Sequence, residues 1–155
     1  MPVNPPPDQP PLPTTAGGTG GAATAGAATG TVVGVGVDLA EVARMRGIHE
    51  RHGDAFLERV FTAAERAYCL SLADPWPSFA ARWAAKEAVA KALGTGFSGG
   101  LDFTSIAVAH DAAGAPVAVL DAKARTLLAA RGGAAVHLSL THTAALAQAF
   151  AVVTR

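Results

Sequence analysis

The feature that most constrains this chain is an alanine-rich segment, SFAARWAAKEAVAKAL, at residues 78–93. Alanine has the highest helix propensity and no Gly or Pro interrupts the segment, so it predicts a continuous helix of about 24 Å. Ser78 follows Pro77 and is predicted to be the N-cap, and Gly94 supplies a C-terminal stop. Because alanine is small, we expect the elements around this helix to pack closely while burying little area per residue.

The other segments predict a mixed fold with separate helical and strand regions. TVVGVGVD at residues 31–38 is apolar and β-branched, which predicts a strand buried on both faces. Thr62 and Glu65 have the spacing of a capping box, which predicts a helix start. The predicted order is β-α-α-α-β-β-α-β-β, which indicates the α+β class. The predicted elements are 31–38, 40–51, 62–72, 78–93, 105–110, 116–120, 122–131, 135–140 and 146–153.

Residues 1–30 differ in composition from the rest of the chain. They contain 7 of the 10 prolines and 6 of the 17 glycines, and Asp8 is their only charged residue. Such a segment has too few large apolar residues to offset chain entropy, so we predict a disordered tail. It lacks the basic start and apolar run of a secretory signal. The PPLP sequence leaves open the alternative that this segment is a ligand for a proline-binding module. One domain is predicted for residues 31–155.

The charge balance excludes some classes of partner. Twelve basic residues match twelve acidic ones, which argues against a broad electrostatic binder of nucleic acid or membrane. No stretch reaches the ~20 apolar residues that span a bilayer. The single cysteine, Cys69, cannot form an internal disulfide and is predicted to be a small buried residue. We expect a cytoplasmic protein whose modest core favours oligomerisation.

Two acidic residues stand where a metal site could form. Asp38 ends the first predicted strand, and Glu87 lies in the alanine-rich helix one turn before Lys91. Structural alternatives stay open, with Asp38 as a helix N-cap and Glu87–Lys91 as a surface i,i+4 pair. If the two carboxylates face each other, they offer oxygen ligands to Mg²⁺, which keeps waters and is commonly completed by substrate phosphates.

Two further segments suggest a phosphorylated ligand. Gly94-Thr95-Gly96 could let a phosphate approach the backbone, but it is not a P-loop, because GKS or GKT is absent and the loop follows a helix. SLTHT at residues 139–143 favours phosphate binding or capping over a Ser–His nucleophile, because no Gly-x-Ser-x-Gly elbow exists. The remaining histidines are predicted to be surface or structural residues: His49, His52, His110 and His137.

Four ordered segments resemble the holo-[acyl-carrier-protein] synthases, the small group of the 4′-phosphopantetheinyl transferases. They are GVGVDLAEVARM at 34–45, FTAAERAYC at 61–69, ARWAAKEAVAKALGTG at 81–96 and HLSLTHTAALAQAFAVV at 137–153. The resemblance covers residues 33–153. It implies the 4′-phosphopantetheinyl transferase fold, in which a small antiparallel sheet packs with a long central helix. It also implies transfer of the 4′-phosphopantetheine arm of coenzyme A to a serine of apo acyl carrier protein, with release of adenosine 3′,5′-bisphosphate.

The resemblance implies roles for individual residues. Asp38 and Glu87 would bind Mg²⁺ and, with Lys91, form the catalytic group. Glu87 or a metal-held water would take the proton of the carrier serine. Lys91 would contact the pyrophosphate, and Arg82 suits the 3′-phosphate. The residues implied to bind coenzyme A are Arg82, Lys91, Gly94, Gly96, Pro116, His142 and Thr143.

The resemblance also implies partners. Family members of this size form trimers with coenzyme A in clefts between subunits, so a homotrimer is implied. A basic strip would meet the acidic carrier protein, with a solvated helix face as the alternative; its members are Arg44, Arg46, Arg51 and Arg59. The sequence departs from the family in the turn before Pro116, which lacks Asn and Lys. It leaves open whether the carrier serves fatty-acid or polyketide biosynthesis.

Two other functions compete with the transferase. One is a Mg²⁺-dependent hydrolase of a phosphoanhydride, and the other is a catalytically silent module that binds coenzyme A or a carrier protein.

Overall fold

The computed structural model describes residues 30–97 and 100–155, which form an α+β fold. The predicted disordered tail lies outside the described residues, apart from Gly30. The strands are β1 Val32–Glu41, β2 Ile106–His110, β3 Pro116–Leu120, β4 Ala135–His142 and β5 Leu146–Thr154. The helices are α1 Val42–His52, α2 Asp54–Val60, α3 Ala63–Leu70, α4 Trp76–Leu93 and α5 Ala122–Ala130, and a short 3₁₀ helix, Phe103–Ser105, precedes β2.

The strands form one antiparallel sheet in the order β1-β5-β4-β3-β2. Helix α4 packs across β1 and β5, and most of its alanines are fully buried. A small antiparallel sheet packed with a long central helix is therefore confirmed, and so is the predicted order of elements. The apolar pattern beyond Gly53 forms the short helix α2. In the described part of the chain, no helix has the length and apolar character needed to cross a bilayer.

Helix α4 begins two residues before the predicted start. Its N-cap residue is Pro75, and the first turn contains Pro77, which needs no hydrogen-bond acceptor there. The prediction that Ser78 is the N-cap is wrong, because Ser78 lies inside the helix and its Oγ accepts a hydrogen bond from Arg82 Nη1 at 2.6 Å. The predicted stop is confirmed, since Gly94 adopts a left-handed conformation with φ 79°.

Strand β1 is buried on one face, so the prediction of burial on both faces is wrong. Val35, Val37 and Leu39 are 57%, 48% and 59% exposed, because alternate residues point to the sheet face opposite α4. The strand also continues three residues past Asp38. Asp38 pairs with Ala149 inside the sheet and is not a helix N-cap.

A second core joins α1, α2 and α3 to the first half of α4. The predicted capping box is confirmed at the start of α3, where Glu65 N donates to Thr62 Oγ1 at 3.3 Å and Thr62 N donates to Glu65 Oε2 at 2.9 Å. Cys69 is fully buried, as predicted, and burial raises the pKa of its thiol. This core holds the ends of α1 and α4 together on one side of the sheet.

Candidate active site

Two glycines bring β1 into direct contact with α4. A Cβ at Gly36 would lie 2.0 Å from the carbonyl oxygen of Ala88, and a Cβ at Gly34 would lie 2.1 Å from that of Ala92. Only glycine allows the backbones to approach so closely. Asp38 is the next residue on the same face of the strand, because side chains alternate along it. The glycines therefore carry Asp38 to the side of α4.

Asp38, Glu87 and Lys91 form a charged cluster between β1 and α4. Lys91 Nζ lies 2.7 Å from Asp38 Oδ1 and donates a second hydrogen bond to the Val37 carbonyl oxygen at 3.0 Å. Lys91 thus forms its ion pair with Asp38 on β1 instead of with Glu87 on its own helix. Its side chain is 49% exposed, whereas that of Asp38 is 18% exposed. About half of the lysine side chain is therefore reachable from solvent.

The two carboxylates of the cluster interact with each other. Burial raises the pKa of Glu87, and the negative charge of Asp38 raises it further, while Lys91 opposes the shift. A bound cation would relieve this repulsion. The described residues contain no group of three or more His, Cys, Asp and Glu that could enclose a metal. Two carboxylates suit Mg²⁺, which keeps several waters and completes its shell with substrate phosphates.

A cleft of about 230 Å³ lies where α3, α4, β3 and β4 meet. It brings together three of the predicted coenzyme A contacts, Arg82, Pro116 and His142. The guanidinium of Arg82 lies 4.3 Å from the centroid of the Tyr68 ring. Its Nε is buried and has no hydrogen-bond partner among the described residues. An unpartnered guanidinium donor beside an open cleft favours an anionic ligand.

Two further residues line this cleft, and the sequence predicts no binding role for either. Tyr68 lies under Arg82, and the ring of His110 lies 4.9 Å from that of Tyr68. His110 was expected to be structural. No local pattern could have linked these two residues, because α3 and the end of β2 meet only in the folded chain. Tyr68 does belong to the FTAAERAYC segment, which was the one available signal.

The backbone turns sharply after Lys91. Gly94 and Gly96 have φ values of 79° and 54°, a region that favours glycine. The N–H groups of Thr95 and Gly96 both donate to the carbonyl oxygen of Ala90 at 3.3 Å. The glycines thus close the end of α4 within about one turn of Lys91.

Thr143 lies in the turn between β4 and β5. Its Oγ1 accepts hydrogen bonds from the backbone N–H groups of Ala145 and Leu146, at 3.2 and 3.1 Å. This is the capping role predicted for the SLTHT segment as one of its two alternatives. His142 is the last residue of β4 and turns into the cleft of Arg82.

The four predicted carrier-binding arginines do not share one environment. Arg44 lines a narrow crevice beside Trp83, and Arg59 lines a hollow of about 540 Å³ beside Phe56. Arg46 Nη2 instead lies 3.5 Å from Asp74 Oδ1. At about 100° per residue, Arg44 and Arg51 share a face of α1, while Arg46 lies roughly 160° from Arg44. The fold therefore separates Arg46 from the other arginine positions of α1.

Known proteins show the same fold and sequence pattern. Residues 34–149 match the family described as the 4′-phosphopantetheinyl transferase superfamily. The chain is 43% identical to the holo-[acyl-carrier-protein] synthase of Koribacter versatilis over 112 residues, covering 72% of this chain and 90% of that protein. It is 52% identical to the synthase of Chlorobaculum tepidum over 82 residues, covering 53% and 70%.

Solved structures agree with the sequence matches. The crystal structure of the holo-[acyl-carrier-protein] synthase from Neisseria meningitidis superposes with a TM-score of 0.75 at 32% identity, covering 81% of this chain and all of that one. The synthase from Helicobacter pylori in complex with coenzyme A has a TM-score of 0.68 at 29% identity, covering 77% and 98%. This chain therefore belongs to the holo-[acyl-carrier-protein] synthases of the 4′-phosphopantetheinyl transferase superfamily.

Proposed function

We propose that this chain transfers the 4′-phosphopantetheine arm of coenzyme A to a serine of an apo acyl carrier protein. The serine oxygen forms a bond to the phosphorus next to the pantetheine arm. The bond from that phosphorus to the bridging oxygen breaks, and adenosine 3′,5′-bisphosphate leaves with that oxygen. The observation that carries the proposal is the cluster of Asp38, Glu87 and Lys91, which combines two metal-ligating carboxylates with a half-exposed ammonium.

Asp38 and Glu87 would hold the metal of this reaction. Burial raises the pKa of Glu87 and the negative charge of Asp38 raises it further, and this repulsion is the feature that fits a cation. When bound, Mg²⁺ supplies positive charge for the pyrophosphate and for the charge that develops during transfer. The protein itself mostly orients the groups and stabilises charge.

Lys91 would bind a phosphate of the pyrophosphate. Its Nζ lies 2.7 Å from Asp38 Oδ1. With a cation on the two carboxylates, the ammonium would be available to a phosphate oxygen, which lysine contacts as a point charge. Gly94 and Gly96 follow directly, and their lack of side chains would let a ligand approach the end of α4 closely.

Arg82 would bind the 3′-phosphate of coenzyme A in the cleft of about 230 Å³. The side chain is held by Ser78 and Tyr68, so little rotamer freedom is lost when the ligand binds. His142 and Pro116 line the same cleft and would contact the nucleotide. Thr143 would act through the turn beside His142, which its hydroxyl holds.

The proton of the carrier serine goes to Glu87 or to a water held beside it. A raised pKa makes the Glu87 carboxylate a better proton acceptor than an ordinary glutamate, because a general base works best near the operating pH.

The carrier protein would dock along α1 and α2. Arg44, Arg51 and Arg59 supply positive charge for an acidic partner, and the hollow lined by Ile48 and Phe56 supplies apolar contact. Local charge of this kind steers an encounter without a net positive chain. Arg46 contributes less, since Asp74 already pairs with it.

The protein would assemble as a homotrimer through the open face of its sheet. Leu39, Leu146 and Phe150 are 59%, 41% and 46% exposed on β1 and β5. Exposed apolar side chains on one face of a sheet mark an interaction surface. Light scattering should give three times the chain mass, and Phe150→Glu should lower it to that of one chain.

The decisive experiment incubates an apo acyl carrier protein with the chain, coenzyme A and Mg²⁺, and measures the carrier mass. We expect a gain of one phosphopantetheine arm, lost when Mg²⁺ is chelated and lost in Asp38→Ala and Glu87→Ala. Lys123→Ala is the control, because it removes an exposed charge of α5, outside the cluster and away from α1 and α2. If no apo carrier protein gains mass, the proposal is wrong.

The same experiment separates the competing functions. Release of adenosine 3′,5′-bisphosphate without any carrier protein would indicate a phosphoanhydride hydrolase. Tight binding of coenzyme A with no turnover in either assay would indicate a silent binding module.

A further inference from the structure

Lys86, the residue before Glu87 on α4, has a fully buried side chain. Its Nζ donates to Glu65 Oε2 at 2.9 Å, to the carbonyl oxygen of Phe103 at 2.9 Å and to the carbonyl oxygen of Ile106. An ammonium group has three hydrogens, so each has an acceptor. Lys91, by contrast, keeps about half of its side chain exposed. Lys86 is therefore held in a single position by groups from three segments.

Glu65 is held as tightly as its partner. Its side chain is 1% exposed. Oε2 accepts from Thr62 N at 2.9 Å in the capping box, and Oε1 accepts from Val108 N at 3.0 Å. Together with Lys86, this carboxylate links the start of α3, the middle of α4, the 3₁₀ helix and strand β2.

Stability alone does not explain a buried pair of this kind. Removing two charges from water is unfavourable, and apolar residues of similar volume often stabilise a core equally well. The hydrogen bonds of the pair are directional, and they allow only one arrangement of the four elements that they join.

The position of Lys86 on α4 shows how the ion pair fixes the rotation of the helix. At about 100° per residue, Lys86 lies roughly 160° around α4 from Ala88, the residue that packs on Gly36. Glu87 lies between these two faces. Helix α4 is thus held from opposite sides, by the glycines of β1 and by Glu65. Rotation of the helix about its axis would swing Glu87 away from Asp38.

We propose that Lys86 and Glu65 are positioning residues for phosphopantetheinyl transfer, whose ion pair sets the rotation of α4 and so the separation of the Asp38 and Glu87 carboxylates. The inference rests on the proposed function, in which these two carboxylates hold the divalent ion. Neither Lys86 nor Glu65 touches the metal or a substrate, because both are enclosed in the core.

The test uses the double variant Lys86→Met/Glu65→Gln in the full chain. Lys86→Met alone leaves an uncompensated buried carboxylate, whereas the double variant removes both charges and keeps a residue type that serves in a capping box. Binding of Mn²⁺ is measured by the loss of its free electron paramagnetic resonance signal. We expect affinity for Mn²⁺ to fall by about tenfold or more, as for other residues that orient metal ligands. We expect kcat to fall with the KM for the carrier unchanged.

Val89→Ala is the matched control. Val89 is fully buried on the same helix and makes no part of the ion pair, so its truncation lowers the melting temperature without removing an anchor. We expect Val89→Ala to bind Mn²⁺ as the parent does.

Three results would overturn or redirect the inference. A folded double variant with parental Mn²⁺ affinity and kcat would show that the pair is only structural. An equal loss of affinity in Val89→Ala would show that general loosening of α4 is the cause. If the double variant does not fold, Glu65→Asp decides by the same measurements, because it keeps both charges and shortens the side chain that holds Lys86. A parent chain that binds Mn²⁺ but modifies no carrier protein would refute the proposed function and leave the role of the pair in holding the metal site standing.

Discussion

The contact between Gly36 and α4 allows a sharp test of how the site is assembled. In Gly36→Ala, the new Cβ would lie 2.0 Å from the carbonyl oxygen of Ala88 and 2.9 Å from the backbone nitrogen of Ala92. A Cβ in ordinary van der Waals contact lies at least 3.4 Å from such atoms, so the helix must retreat by on the order of 1 Å. Both obstructing atoms belong to the backbone, so no side-chain rotation can relieve the overlap.

We expect this substitution to lower both stability and activity. Overpacking of a core contact typically destabilises by about 1–3 kcal/mol, and a backbone overlap belongs near the upper end. The retreat also draws Glu87 away from Asp38, and a displacement of about 1 Å in a catalytic group can lower the rate roughly 100-fold. Urea denaturation measures the stability, and carrier modification well below the melting temperature measures kcat/KM.

Gly47→Ala is the control for the change of residue type. The nearest atom to a Cβ at Gly47 is Arg51 Nη1 at 3.5 Å, so the methyl group fits, and alanine in a helix should stabilise by about 0.5–1 kcal/mol. Parental stability in Gly36→Ala would show that α4 does not lie against β1 as described. Lost stability with parental kcat/KM would show that this contact does not hold Glu87 in place.

Three more predictions concern single side chains of the site. Burial and the charge of Asp38 raise the pKa of Glu87 in the folded state, so the folded parent binds the carboxyl proton more tightly than the unfolded chain does. The free energy of unfolding of the parent therefore falls as pH rises through the raised pKa. Without divalent ions, Glu87→Gln should therefore be more stable than the parent at neutral pH, and urea titrations should show this advantage vanish below the ordinary glutamate pKa of 4.5. Lys91→Met should raise the KM for coenzyme A about tenfold. It should also lower the unfolding free energy by about 1–3 kcal/mol, because Lys91 is half exposed but its loss leaves the mostly buried Asp38 carboxylate without a partner. By calorimetry, the parent should bind coenzyme A at least about tenfold more tightly than 3′-dephospho-coenzyme A, and Arg82→Lys should abolish this preference. An unchanged preference would show that Arg82 does not bind the 3′-phosphate.

Features governed by neighbours along the chain were predictable. The capping box of Thr62 and Glu65 involves residues three apart, and its two hydrogen bonds form as expected. The end of α4 at Gly94 follows from the left-handed conformation that glycine adopts readily. The turn Asp111–Ala115 likewise forms through local bonds, in which Asp111 Oδ1 accepts from the N–H groups of Ala113 and Ala115 at 2.9 Å.

Features that depend on distant elements were missed or misjudged. Strand β1 has an apolar sequence on both faces, but only one face meets α4, and the other stays open in the single chain. Ser78 has the chemistry of an N-cap, yet Pro75 and Pro77 start the helix earlier, and the Ser78 hydroxyl binds Arg82 instead. Lys91 has Glu87 one turn away on its own helix, but the strand beside it offers Asp38 at 2.7 Å.

The sequence by itself determined the class of this protein. Its helix, strand and turn signals are local, and its motifs carry the residue types that magnesium and phosphates require. Only the tertiary structure decided which groups meet. Gly34 and Gly36 lack the side chains that would hold β1 away from α4, so Asp38 reaches Glu87 and Lys91 from about fifty residues away. The buried pair of Lys86 and Glu65 holds the opposite side of that helix. A buried charge is stable only beside a partner, and the tertiary structure decides which residue that partner is.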